Sequence, residues 1–249
     1  MTLLFSSIRR FTALTEQMSP KESFTFINRY LGAMEPAITE SGGFIDKVIG
    51  DAITALFDAD SSGALSAAIG MRRRLRVYNE DQPEPIRTGI GIHTGTLMLG
   101  LVGGAGRMDG TVISDAVNLA SRIEGLTKHF GCAILASAES LANLPEAHSF
   151  SIRPLGDVAV AGRSDPVSVS EVLDPELEVD RWKLEQNDRF AAALAHYRAG
   201  EFDVAQQEFY ALHAENAGDL PARYYAARAA FCTAAPPVNW NGVESFAQK

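Results

Sequence analysis

The stretch 44–57 constrains the fold of this chain most, because two strand-like apolar runs flank a single tight turn. The turn is Gly50-Asp51, a residue pair suited to a short hairpin connection. The pattern predicts a β-hairpin that holds Asp51 rigidly, with Lys47 on the preceding strand. A carboxylate on a rigid element suits a hard divalent cation such as Mg²⁺. An ordinary Gly-Asp turn explains the same residues, so the rest of the chain must decide between the two interpretations.

Composition narrows the classes of function. The 249 residues, 46% of them hydrophobic, are enough for one large domain or a medium domain plus a small one. A net charge of -9 disfavours nucleic acid as a partner, because nucleic-acid binding depends on a basic surface. No apolar run is long enough to span a membrane. Two distant cysteines, Cys132 and Cys232, are typical of reduced thiols in a cytoplasmic protein.

The order of periodic segments predicts an α+β protein with a sheet covered by helices. Ser19-Pro20 is a helix start, with a capping serine and proline in the first turn. A glycine-rich segment, 103–110, is expected to be flexible. The predicted order is βαββαβ with added strands, as in ferredoxin-like folds. Its segments are strand 2–8, helix from 20, hairpin 44–57, helix 61–79, strands 87–93 and 96–102, helix 115–130, and strands 133–136, 149–155 and 167–172.

The composition changes near Asp174, which predicts a first domain over 1–173, a linker over 174–181 and an all-α region over 182–249. The stretch 195–205 resembles one helix–turn–helix unit of the tetratricopeptide type. A single unit of this kind cannot bury its own apolar face. We therefore expect it to pack against the first domain or a partner.

Several separated motifs now carry a family resemblance. They are 4–12, the hairpin 44–57, the strand 89–95, 111–122 and 155–163. In this order they closely resemble the catalytic domain of class III nucleotidyl cyclases, over about residues 2–173. These enzymes join the ribose 3′-oxygen of a nucleoside triphosphate to its α-phosphorus and expel pyrophosphate.

The resemblance implies a role for each matching residue. Asp51 and position 7 would hold Mg²⁺ or Mn²⁺, Asn118 and Arg122 would orient the ribose and stabilise the transition state, and Lys47 with Thr111 would select the base. A lysine at that place suits adenine, which implies ATP rather than GTP. The remaining substrate-binding positions include a backbone segment that wraps the phosphates; they are Ile8, Phe11, Thr12, Gly50 and Arg163.

Two departures from the family pattern bear on activity. Ser7 stands where the family has its first metal carboxylate, and a neutral hydroxyl lacks the charge that holds two metals together. Ala161 stands where the family has a lysine that contacts the triphosphate. Arg163, two residues on, would share a strand face with position 161 and partly replace that lysine.

Two hypotheses of function follow. The first is an adenylate cyclase that forms cyclic AMP and pyrophosphate, with reduced activity because of Ser7. The second is a catalytically impaired cyclase-like domain that binds nucleotide or a cyclase partner and regulates it. The family forms head-to-tail dimers with shared sites, which implies a homodimer or a heterodimer whose partner supplies the missing groups. Because the sequence enters a strand at once, we also expect upstream residues, such as a sensor domain.

Overall fold

The computed structural model describes residues 1–104, 107–160, 163 and 165–246, while the side chains of residues 99 and 101–113 lie outside that description. The chain forms two compact units. The first comprises Met1–Thr127 with Ala133–His148, and the second comprises Lys128–Cys132 with Ser149–Lys249. The two units are described separately below.

The first unit contains seven strands and five helices within the described residues. In chain order they are β1 (Thr2–Ile8), α1 (Phe11–Thr15), α2 (Pro20–Thr39), β2 (Phe44–Ile49), β3 (Ala52–Phe57), α3 (Ser62–Glu80), β4 (Thr88–Thr94), β5 (Met98–Gly104), β6 (Arg107–Ile113), α4 (Asp115–Phe130, whose last turn belongs to the second unit), β7 (Ile134–Ser137) and α5 (Ala138–Ala142). Five strands pair in the order β7-β4-β1-β3-β2, and only the β4–β7 pair is parallel. The predicted α+β class and the order βαββαβ are confirmed.

The start of α2 and the hairpin over 44–57 have the structures that the sequence predicts. Ser19 caps α2, its hydroxyl accepts the N–H of Glu22, and the Glu22 carboxylate accepts the N–H of Ser19. This reciprocal capping box satisfies two backbone donors that a helix start leaves without partners. The stretch 44–57 forms the predicted hairpin, with Ile49 opposite Ala52 across the two-residue turn.

The segment 103–110, predicted to be flexible, contributes paired strand residues where it is described. β5 and β6 form a two-stranded antiparallel hairpin, and residues 107–110 belong to β6. High glycine content weakens side-chain packing in a strand but leaves every backbone donor and acceptor available for the ladder. Thr111 lies within β6 opposite Gly100.

Helix α4 packs on the central strands of the first unit. Ala116 and Ala120 of α4 form a buried cluster with Leu3 of β1 and Leu56 of β3. A β-carbon at Gly91 of β4 would overlap backbone atoms of α4, so glycine is required there for the helix to approach the strand. This close packing brings the polar side chains of α4 to the end of β1.

The second unit combines three strands with four helices in its described part. They are β8 (Ser151–Ala159), β9 (Val167–Leu173), α6 (Glu178–Glu185), α7 (Asn187–Ala199), α8 (Phe202–Glu215), α9 (Leu220–Ala234) and β10 (Val243–Ser245). β8 pairs antiparallel with β9 and parallel with β10. Helix α6 begins inside the stretch predicted as a linker. The tetratricopeptide-type assignment of α7 and α8 and the domain limits stay predictions.

A fully buried ion pair joins β8 to the helices of the second unit. The Arg153 guanidinium donates to both carboxylate oxygens of Asp219, at 3.0 and 2.7 Å, and both side chains have no exposed area. Arg153 also lies over the ring of Phe190 in α7, 3.6 Å from its centroid. Asp219 in turn caps α9 by accepting the N–H of Ala222. The charge pair therefore fixes two helices against one strand.

No helix in the described parts of the chain is long and apolar enough to cross a membrane.

Candidate active site

The candidate site is built where the end of β1 meets the β2–β3 turn. Gly50 adopts a left-handed backbone, with φ of 61°, which places Asp51 at the tip of the turn. One carboxylate oxygen of Asp51, Oδ2, accepts the backbone N–H of Ile8 at 2.6 Å. A short charge-assisted bond of this kind fixes the carboxylate in one orientation. Asp51 is half-buried, and this bond leaves its second carboxylate oxygen available to a ligand.

A buried carboxylate on α4 completes the polar surroundings of β1. Glu124 is 7% exposed, and its Oε1 accepts from the Ser7 hydroxyl at 3.0 Å and from the Arg9 guanidinium at 2.8 Å. Arg9 also donates to the Thr127 hydroxyl. Burial raises the pKa of Glu124 above its usual range, although Arg9 and the Ser7 hydrogen bond act in the opposite direction. The nearby charge of Asp51 raises it further.

Glu124 was not identified from the sequence. Its position did carry a signal, because it lies four and eight residues after Ala120 and Ala116, on the face of α4 that packs into the core. A carboxylate on a buried helical stripe requires a partner. Gly89 belongs to the same arrangement, since a β-carbon there would overlap the polar atoms of Arg9, Glu124 and Thr127.

Lys47 lies on β2 beside an irregular pairing. The register of β2 against β3 shifts between Ile45 and Lys47, so Asp46 occupies a β-bulge. The Lys47 ammonium lies 3.5 Å from Oδ2 of Asp46, and its side chain is 35% exposed. A cation that is paired on one side and partly open on the other is suited to contact a bound molecule.

The other predicted site residues lie on α1, on α4, on β6 and in the second unit. Phe11 contacts the hairpin turn, since a β-carbon at Gly50 would lie 3.9 Å from its ring, and Thr12 is exposed beside it in α1.

Asn118 and Arg122 lie one helical turn apart on α4, the first exposed and the second half-buried. The structure thus brings together Ser7, Ile8, Phe11, Gly50 and Asp51. Arg163 is exposed in the second unit, and the side chain of Thr111 lies outside the description.

Comparison with known proteins decides the family. A family profile for the adenylate and guanylate cyclase catalytic domain matches residues 1–171. The chain belongs to this family. It is 48% identical over 182 residues to an adenylate cyclase of Anabaena cylindrica, a match that covers 69% of this chain and 36% of that protein. The resemblance read from the motifs is confirmed for the catalytic domain.

Two solved structures show the same cyclase fold. The adenylyl cyclase CyaB from P. aeruginosa is 30% identical, with a TM-score of 0.60, and the match covers 70% of this chain and 93% of that one. The guanylyl cyclase Cya2 is 33% identical, with a TM-score of 0.59, and the match covers 69% and 90%. Relatives of both base specificities are therefore similar to this cyclase domain. The chain spans about a third of the length of the Anabaena protein.

The oxygen atoms at this site fit a hard divalent cation bound together with substrate. Within the described residues there is no group of three or more His, Cys, Asp or Glu side chains that could hold a metal ion. Mg²⁺ is commonly held by one or two carboxylates, with waters and substrate phosphates filling its other positions. Asp51 would be such a carboxylate here. The Ser7 hydroxyl donates its proton to Glu124, which leaves its oxygen lone pairs free to face a cation.

Glu124→Gln should change the pH dependence of the free energy of unfolding. Because the folded state raises the pKa of Glu124, it retains a proton that the unfolded chain has already released. Wild-type stability should therefore fall, by up to about 1.4 kcal/mol per pH unit, as pH rises from the usual glutamate pKa through the raised one. Glutamine keeps an acceptor for Ser7 and Arg9, so the variant should lack that fall.

The measurement is urea unfolding of both proteins across this pH range, with the exposed Glu84→Gln as the control. The control should follow the wild-type profile. Parallel pH profiles for wild type and Glu124→Gln would contradict a raised pKa of Glu124 in the folded state.

Proposed function

We propose that the chain is an adenylate cyclase catalytic domain that converts ATP to 3′,5′-cyclic AMP and pyrophosphate. The observation that supports this proposal most is the Asp51 carboxylate, which the Ile8 N–H fixes at the hairpin tip at 2.6 Å. That arrangement lies in a chain whose family profile is that of nucleotide cyclases. The 48% identity to an adenylate cyclase supports ATP as the substrate.

Each residue has a defined part in the reaction. The ribose 3′-oxygen bonds to the α-phosphorus, the bond from that phosphorus to the β-phosphate oxygen breaks, and the 3′-hydroxyl proton leaves to solvent. A divalent metal, when bound, activates the attacking oxygen and neutralises charge on the leaving group. Asp51 and Ser7 would hold that metal. Asn118 orients the ribose, and Arg122 stabilises the charge that develops on the pentavalent phosphorus.

A second candidate function rests on a specific observation. The Ser7 hydroxyl is hydrogen-bonded to Glu124, and no negative charge stands at position 7 to hold a second metal. A domain with one carboxylate binds nucleotide through a single metal more readily than it performs two-metal chemistry. In that case the chain is a regulatory cyclase-like domain that binds nucleotide or a cyclase partner.

Base selection is proposed to depend on Lys47 together with Thr111. A lysine donates to a ring nitrogen of adenine, whereas a carboxylate in its place accepts from guanine. We expect Lys47→Glu to raise kcat/KM for GTP relative to ATP by about tenfold or more, because leaving a buried polar group unmatched costs about 1–3 kcal/mol. The exposed Lys21→Glu makes the same charge change on α2 and should leave the ratio unaltered. An unchanged ratio in Lys47→Glu, or a wild type that prefers GTP, would contradict ATP selection by Lys47.

Each active site is proposed to be shared across a head-to-tail homodimer, with Asp51 from one protomer and Asn118 from the other. Asp51→Asn and Asn118→Ala should each be inactive alone. Mixed in equal amounts and allowed to exchange, they should regain about a quarter of wild-type activity, because half of the dimers are mixed and each has one intact site. No recovery after exchange, with mixed dimers verified by mass, would exclude sharing.

A further inference from the structure

We propose that Arg10 binds the polyphosphate of the nucleoside triphosphate through its guanidinium. The inference rests on the proposed function, since it names a further contact to the same substrate. It starts from two adjacent arginines, Arg9 and Arg10, whose surroundings in the structure differ completely.

The side chain of Arg9 stabilises the fold through internal contacts. Its guanidinium pairs with the buried carboxylate of Glu124 at 2.8 Å and donates to Thr127. Its backbone N–H donates to the carbonyl of Arg87 at 2.7 Å. Charge on Arg9 is therefore already neutralised by an internal partner, which leaves it little capacity for a phosphate.

Arg10, unlike Arg9, makes no side-chain contact of this kind in the described part of the chain. It is exposed, and within the described part of the chain no hydrogen bond or ion pair involves its guanidinium. Its backbone is left-handed, with φ of 58° and ψ of 31°. Among the described non-glycine residues only Arg10 and Asn239 have a positive φ, and asparagine tolerates that conformation far better than arginine. A strained residue that makes no internal contact is a candidate for function.

The position of Arg10 fits a phosphate ligand. Ile8, two residues before it, donates its N–H to the Asp51 carboxylate, and Phe11, the next residue, lies against the Gly50 turn. Arg10 is therefore held between two residues that touch the proposed metal-binding turn. A nucleoside triphosphate carries more negative charge than one divalent cation neutralises, so a guanidinium here would have a charged partner. Arginine is suited to this role because its fork of donors matches phosphate oxygens.

The test measures binding rather than turnover. Titration calorimetry in the presence of Mg²⁺ gives the affinity for a nonhydrolysable ATP analogue and, separately, the affinity for AMP. Arg10→Gly should weaken binding of the ATP analogue about tenfold and leave AMP binding within about twofold. The same variant should melt at a higher temperature, because glycine adopts the left-handed backbone without strain. Arg10→Lys keeps the positive charge but lacks the fork of donors, so its affinity for the analogue should fall between those of wild type and Arg10→Gly. Arg76→Ala removes one exposed charge from α3 and should change neither affinity.

The outcomes separate this inference from the proposed function. If wild type binds the ATP analogue and Arg10→Gly binds it equally well, the role of Arg10 is refuted and nucleotide binding stands. An equal loss of AMP and ATP-analogue affinity in Arg10→Gly would also refute a polyphosphate contact. If wild type binds no nucleotide, both the role of Arg10 and the proposed function fail.

Discussion

Asp51→Asn should lower cyclic AMP formation by about 100-fold or more, which corresponds to about 3 kcal/mol of transition-state stabilisation. Asparagine keeps an oxygen that accepts the Ile8 N–H, so the hairpin should stay in place. It removes the negative charge that attracts the metal, so the affinity for Mn²⁺ should fall in parallel. Activity and Mn²⁺ binding, the latter by electron paramagnetic resonance, are measured on the same samples.

Asp58→Asn is the matched control for this experiment, because Asp58 is an exposed carboxylate just after β3 on the same hairpin. It should leave activity and Mn²⁺ affinity unchanged. If Asp51→Asn retained full activity, or lost activity while binding Mn²⁺ normally, Asp51 would not be a metal ligand.

Asp219→Asn should lower the free energy of unfolding by about 3–5 kcal/mol, because it removes the carboxylate that pairs most closely with the buried Arg153 guanidinium. The remaining counter-charge is the carboxylate of Glu171, which lies 3.9 Å away and already pairs with Lys183. Asparagine still offers an oxygen to the Ala222 N–H, so the cap of α9 is retained and the loss reports on the ion pair. Urea unfolding followed by circular dichroism gives the value. An Asp219→Ala variant should lose more, since it also removes the cap.

The chain provides a control with the same pairing geometry on its surface. Arg189 donates to both oxygens of Glu215 at 2.8 and 2.7 Å, but these side chains are 48% and 47% exposed. Glu215→Gln should change stability far less than Asp219→Asn, because water solvates the remaining charge. Equal effects of the two substitutions would show that burial is not what makes the Arg153–Asp219 pair important.

Features set by local sequence were the ones that could be predicted. The capping box at Ser19, the two-residue turn at Gly50-Asp51 and the helix over 115–130 depend on residues that are neighbours in the chain. A strand over 96–102 was predicted, but its pairing with β6 was not, because glycine was interpreted as flexibility in a segment whose pairing depends on backbone groups. The short elements α5 and β10 have too few residues to show a period.

Features set by tertiary packing could not be predicted in the same way. Glu124 becomes part of the site only because α4 packs closely on β4, which requires glycine at Gly91. Arg153 follows two ordinary strand residues, and nothing in its sequence neighbours indicates that Asp219, 66 residues later, pairs with it. The left-handed backbone of Arg10 was likewise invisible, since arginine carries no signal for a positive φ.

The most direct test of the central claim is cyclic AMP formation from ATP by purified wild type and Ser7→Asp, each with Mg²⁺ and with Mn²⁺. We predict that wild type makes cyclic AMP with at least one metal, because Asp51 and the Ser7 oxygen hold the metal that the reaction needs. Ser7→Asp should increase the rate by about tenfold or more, as a second carboxylate strengthens metal binding. If wild type makes no product with either metal while Ser7→Asp does, the chain is not an active cyclase and the regulatory function takes its place.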